Sequence, residues 1–138
     1  MIDNKQRILI AFYVEYQKDL PSYDNVNEKN LNVSRPIYVH NEHKLEEEEL
    51  IVAKPRMDLS TYYRPTLKGI EYIEKLFNIK ETLPNIVKLE DIGYEAQEVK
   101  DDSLVAFIKN AIIEIDSRYE EHFKEKKFEQ RIGKYFNF

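Results

Sequence analysis

Apolar residues along the chain fall into helical and alternating blocks separated by polar turns. Ile8, Leu9, Phe12 and Tyr16 recur at the spacing of one helical face, which predicts a helix over about Asp3 to Lys18. Asp3 or Asn4 is placed to cap its orphan N–H groups, and Pro21 stops it. The polar stretch that follows has room for one short helix, about Tyr23 to Asn30, and a turn at Asn30-Leu31-Asn32, where Asn tolerates left-handed backbone. Ser34 then reads as an N-cap with Arg35 and Pro36 in the first turn, opening a helix to about Glu49 with Ile37, Tyr38 and Leu45 as its apolar positions.

Two short extended segments come next. Leu50 to Ala53 and Thr61 to Arg64 suit paired strands, and the polar, proline-bearing Lys54 to Ser60 suits a hairpin tip. Thr66 caps a further helix, about Leu67 to Asn78, with Ile70, Ile73 and Phe77 on one face. Residues 80–102 read as a connector, with Ile86 to Leu89 as a strand and Glu90 to Val99 as a broken helix. A long helix is expected from Ser103 to about Glu129, striped by Leu104, Ile108, Ala111, Ile112, Ile115 and Tyr119. Val105, Ile108, Ile112, Ile115, Tyr119 and His122 alternate three and four apart, the lower limit of a heptad pattern. The expected class is α+β, mainly helical, with residues 1–79 as a domain, 80–102 as connector and 103–138 as a C-terminal helix.

Composition narrows the function. The chain has 138 residues with 42% hydrophobic and 34% charged, and its net charge is 21 − 26 = −5. With no cysteine, disulfide scaffolds, cysteine zinc sites and thiol nucleophiles are excluded. Three glycines supply no phosphate loop, and neither GxGxxG nor GxxxxGK[ST] occurs. No apolar run reaches the roughly 20 residues of a membrane span, and Met1 to Arg7 has no signal-peptide pattern, so a cytoplasmic protein without membrane contact is expected. No triad, metal set or cofactor loop is present, so neither an enzyme nor a cofactor is expected.

Three helices, a hairpin and a helix follow one another in the order of a winged helix-turn-helix. Val33-Ser34-Arg35-Pro36, Lys44-Leu45-Glu46-Glu47-Glu48 and Leu50-Ile51 resemble the recognition helix and following strand of MarR-like and PadR-like regulators. Tyr62-Tyr63-Arg64-Pro65-Thr66-Leu67-Lys68-Gly69 resembles the end of the wing in the same families. The N-terminal spacing resembles the small YjcQ-like winged-helix proteins of Bacillus and its phages. The resemblance covers about residues 3–79 and implies a sequence-specific, double-stranded DNA-binding transcriptional regulator of bacterial or phage type. It places Ser34, Arg35, Tyr38, His40, His43 and Lys44 on the recognition helix, Lys54 and Arg56 at the wing tip and Arg64 at its close. It also implies a homodimer through the terminal helix, with Leu104, Val105, Ile108, Ile112, Ile115 and Tyr119 at the interface. The alternative is an intramolecular helix covering the first one.

Four positions depart from that pattern. Asn41-Glu42 stands where the families have Ala-Leu, Glu49 where they have Gly, and Pro65 where they have Leu. A left-handed C-cap is costly for Glu, so the helix either rotates to expose Glu42, ends early, or belongs to a diverged module. His40 and His43, at i and i+3 with Glu47 one turn on, have metal-ligand spacing, but a surface pair near DNA is the preferred reading and no metal is expected. Residues 1–79 hold 11 basic and 13 acidic groups, and five of the acids lie between Glu42 and Glu49. If these face away from the wing, 11 bases remain against 13 − 5 = 8 acids. If they do not, a winged-helix module that binds protein and not DNA is the second expectation.

Overall fold

A computed structural model describes residues 2–116. It is a mainly helical α+β chain, with α1 Asn4–Tyr16, a 3-10 turn Tyr23–Asn25, α2 Glu28–Leu31, α3 Arg35–Glu47, β1 Ile51–Pro55, β2 Thr61–Pro65, α4 Leu67–Leu76, α5 Asn85–Glu98 and α6 Asp102–Ile115.

The first helix is the centre of the molecule. Asp3 and Gln6 form a reciprocal capping box at its start. Every residue from Ile8 to Glu15 is buried, because α3, α4, α6 and β2 enclose the helix on several sides. A helix apolar all round belongs in a core, so the single face expected from Leu9, Phe12 and Tyr16 understates it. Tyr16 itself is 47% exposed.

Short elements after α1 are finer than the pattern suggested. The single helix expected over Tyr23 to Asn30 is split into the 3-10 turn and α2, because Asn27 caps α2 by accepting from Asn30 N at 2.8 Å. Asn32 takes the left-handed conformation, at φ 54°.

α3 ends in a Schellman motif. Leu50 N donates to Leu45 O at 2.9 Å and Glu49 N to Glu46 O at 3.0 Å. Glu49 sits between them at φ 61°, the place where glycine is commonest. Buried Leu45 and Leu50 supply the apolar contact that accompanies such ends. The same motif closes α4 at Asn78 and α5 at Lys100, with φ 54° and 58°. Among the described residues no glycine has a positive φ.

β1 and β2 form a two-stranded antiparallel hairpin with Ile51 opposite Pro65 and Lys54 opposite Tyr62. Gly69 lies where α4 crosses the end of α3. A Cβ there would stand 2.2 Å from Leu50 O, so only glycine fits. Thr66 ties the same corner, donating through Oγ1 to Glu49 O at 2.6 Å and capping α4 at Gly69 N at 3.0 Å.

Within residues 80–102, the helix expected at Glu90 to Val99 is present but starts earlier, and the strand expected at Ile86 to Leu89 is its first part: α5 runs unbroken over Asn85–Glu98. Leu89, Ile92 and Ala96 are buried at three- and four-residue spacing, and α5 packs along α6. α6, capped by Asp101 through Leu104 N at 3.1 Å, ends at Ile115, and Asp116 is extended. The uninterrupted helix to Glu129 is therefore corrected. Its later part, with Tyr119 and His122, lies outside the described residues.

Leu104, Ile108 and Ile112, expected at a dimer interface, are buried inside the protomer. α6 packs on α1 and α5, and its apolar stripe joins the same cluster as Ile8 to Val14. Val105 and Ile115 are partly buried against that cluster. The stripe is thus consumed by the chain's own core, and packing runs without a break across residue 79.

Candidate nucleic-acid interface

The candidate face is the groove between α3 and the hairpin, a cleft of about 460 Å³ walled by the Tyr23–Glu28 segment, α3 and β2. Ser34 occupies the N-cap position of α3 with its hydroxyl unused for capping, and Pro36 stands in the first turn. Arg35 projects from that turn, and its Nη1 lies 2.8 Å from Glu28 Oε1. A hydrogen bond from its own backbone N–H and, after it, the Arg35 guanidinium hold the Glu28 carboxyl below its usual range.

Helical geometry divides the expected contacts. Tyr38 points inward, is 5% exposed, and its hydroxyl donates to Val26 O at 2.8 Å. It is a core residue, and its place among the DNA contacts is corrected. Burial pushes its hydroxyl far above the ordinary tyrosine range. Ile37, His40, His43 and Lys44 line the exposed face of α3.

The hairpin carries the other expected residues. Lys54 and Tyr62 are cross-strand neighbours, as are Val52 and Arg64, so all four share one face of the hairpin. Arg64 is exposed and Lys54 half-buried. Arg56 is folded back from the tip: it bonds Asp24 and lies 5.1 Å over the Tyr62 ring. Tyr62 stacks on Tyr23 with centroids 6.4 Å apart and planes 9° apart. The tip itself presents Met57 and Leu59, 103% and 92% exposed, with Leu59 at φ 71°.

The acidic run of α3 is only partly solvated. Glu46 accepts from the Tyr63 hydroxyl at 3.1 Å, and Glu48 pairs with Lys5 at 2.8 Å. Lys68 donates to Glu48 O at 2.9 Å, which offsets the negative helix end. Glu42 is half-buried in the groove, and desolvation raises its carboxyl pKa. Glu42 and Glu46 therefore face the groove side, while Glu47 to Glu49 lie outside it.

The sequence pattern did not reveal Asp24 and Glu28 as partners of Arg56 and Arg35. Asp24 is 32 residues from Arg56, and Glu28, although 7 residues from Arg35, stands on a separate helix beyond the left-handed turn at Asn32, so neither pair follows from one helical face. The buried Glu15, which accepts from Ser22 N at 3.0 Å and Asn25 Nδ2 at 3.3 Å and pairs with Lys18 at 2.9 Å, was likewise read only as part of a core helix. Among the described residues no cluster of three or more His, Asp or Glu is arranged to hold a metal ion, and no helix is long and apolar enough to cross a membrane. Comparison with protein-family models, curated proteins and solved structures finds no match to this chain.

Proposed function

We propose that residues 4–79 form a winged helix-turn-helix module that binds double-stranded DNA, as part of a transcriptional regulator. The observation that carries this reading is the joint placement of α3 and the hairpin. The α3 face with His40, His43 and Lys44 is open to solvent, and on the hairpin face Arg64 is exposed and Lys54 half-buried. A duplex lying along α3 would meet the helix N-terminus in its major groove and the hairpin on its backbone. In this reading Arg35 and Lys44 serve the helix contact, and Lys54, Arg56 and Arg64 the backbone.

A dimer would place two such helices one turn of DNA apart. With Leu104, Ile108 and Ile112 committed to the core, such a dimer has to use other surface. Sedimentation of the full chain measures whether it forms.

A second reading, a winged-helix module that binds protein, is favoured by one observation. Arg35 and Arg56 are both already paired with carboxylates, and Glu42 lines the groove together with Arg35. Anisotropy titration of labelled genomic duplexes at low salt separates the two. Binding weakened by Lys44→Ala and by Lys54→Ala/Arg64→Ala, with unchanged thermal midpoints, supports the DNA reading. No retardation of any duplex at low salt sinks it.

A further inference from the structure

The two ion pairs of the groove have a common origin. Asp24 and Glu28 both come from the short stretch between α1 and α3, and they reach across to the hairpin and to the start of α3. That stretch is held firmly. The fully buried Glu15 accepts from Ser22 N and Asn25 Nδ2, and Asn27 donates to Asp24 O at 2.9 Å. Arg56 is equally preset, laid over Tyr62, which in turn stacks on Tyr23. Tertiary structure thus aims two guanidiniums at two anionic groups along two adjoining clefts that share Tyr23, Asp24 and Tyr62.

From this placement we propose that the groove is a phosphate-binding cleft kept shut by the chain's own carboxylates. Asp24 and Glu28 occupy the positions that two phosphates of a nucleic-acid backbone would take on Arg56 and Arg35. The inference rests on the duplex-binding reading above. The pairs are suited to exchange because they are exposed: the Arg35 side chain is 74% accessible and that of Asp24 66%. Exposed pairs contribute little and are screened by salt. A polyanion that releases condensed counterions competes well for the same guanidiniums. The displaced carboxylates stay beside the backbone and repel it, so the gate lowers affinity even when open.

The test uses the full chain and a fluorescein-labelled duplex, with anisotropy titrations at a series of KCl concentrations. Asp24→Asn/Glu28→Gln removes the gate. Glu95→Gln/Glu98→Gln, on the exposed side of α5 away from the groove, makes the same change in net charge. The gate variant is expected to bind a few-fold more tightly for each freed arginine, about tenfold in all, than the α5 control. Its log K against log salt slope should steepen by up to about 0.9 per arginine. Adding Arg35→Gln/Arg56→Gln should abolish the gain. Equal affinity and slope in gate variant and control overturn the gate while leaving duplex binding intact. No binding by wild type or by either variant overturns the duplex reading, and the gate with it.

Discussion

Gly69→Ala tests how α4 is seated on the end of α3. The new Cβ would lie 2.2 Å from Leu50 O, 3.1 Å from Leu50 C and 3.3 Å from Leu9 Cδ1. Restoring ordinary contact requires about 1 Å of backbone movement, since a carbon and a carbonyl oxygen rarely pack closer than roughly 3.2 Å. Leu50 cannot give way freely. Its carbonyl accepts from Thr66 N at 3.0 Å, and its own N–H closes the Schellman end on Leu45 O. Overpacking of this kind costs about 1–3 kcal/mol, and a lost hydrogen bond adds about 1. Replacing glycine in a helix recovers up to about 1 kcal/mol. The expected net loss is about 1–3 kcal/mol, a fall in thermal midpoint of about 5–10 °C for a chain of this size. Urea unfolding followed by far-UV circular dichroism measures it. A Gly69→Ala protein as stable as wild type would refute the close crossing of α4 over Leu50.

Three further outcomes follow from named contacts. Glu49→Gly should stabilise by about 1 kcal/mol in the same urea assay, because Glu49 pays for a left-handed φ of 61° that glycine adopts freely; a loss of stability would show that the Glu49 side chain contributes more than its backbone costs. Asp101→Ala should destabilise by about 3 kcal/mol, since Asp101 both caps α6 and accepts from Arg7 at 2.5 Å in a pair about 12% exposed on each side; a change below about 0.5 kcal/mol would contradict that pairing. For Glu42→Gln the sign comes from the raised carboxyl pKa, caused first by desolvation. A raised folded pKa favours the fold when the group is protonated, and that advantage disappears as pH rises through the folded value. The Gln variant should therefore be more stable than wild type at pH 7, with the difference shrinking to nothing below about pH 4. A gain that persisted unchanged at low pH would show that ionisation is not its cause.

Much of the fold follows from local chemistry that the sequence displays. The cap at Asp3, Ser34-Arg35-Pro36 opening α3, the two strands of the hairpin and the cap at Thr66 all lie where short-range spacing puts them, but Lys54 and Pro55, expected in the tip, extend β1 opposite Tyr62 and Thr61. The first turn of α5 reads as a strand and the rest as a broken helix because its hydrophobic positions are interrupted by charge, and only packing along α6 makes Leu89, Ile92 and Ala96 one face. The apolar stripe of α6 was plain, but a stripe does not say which surface covers it. Here α1 and α5 do, so residues that would suit a dimer interface serve the monomer core.

The candidate site divides the same way. The sequence by itself determined which residue types stand on α3 and the hairpin, and that five acids lie between Glu42 and Glu49, four of them at the end of the helix. Only the tertiary structure decided that Tyr38 faces the core and that Glu46 and Glu48 find partners in Tyr63 and Lys5. It alone brings Asp24 to Arg56 and Glu28 to Arg35. The physical reason is range. Caps, turns and helical faces are set by neighbours a few residues away, whereas the potential in a groove is the sum of charges that the fold gathers from distant parts of the chain.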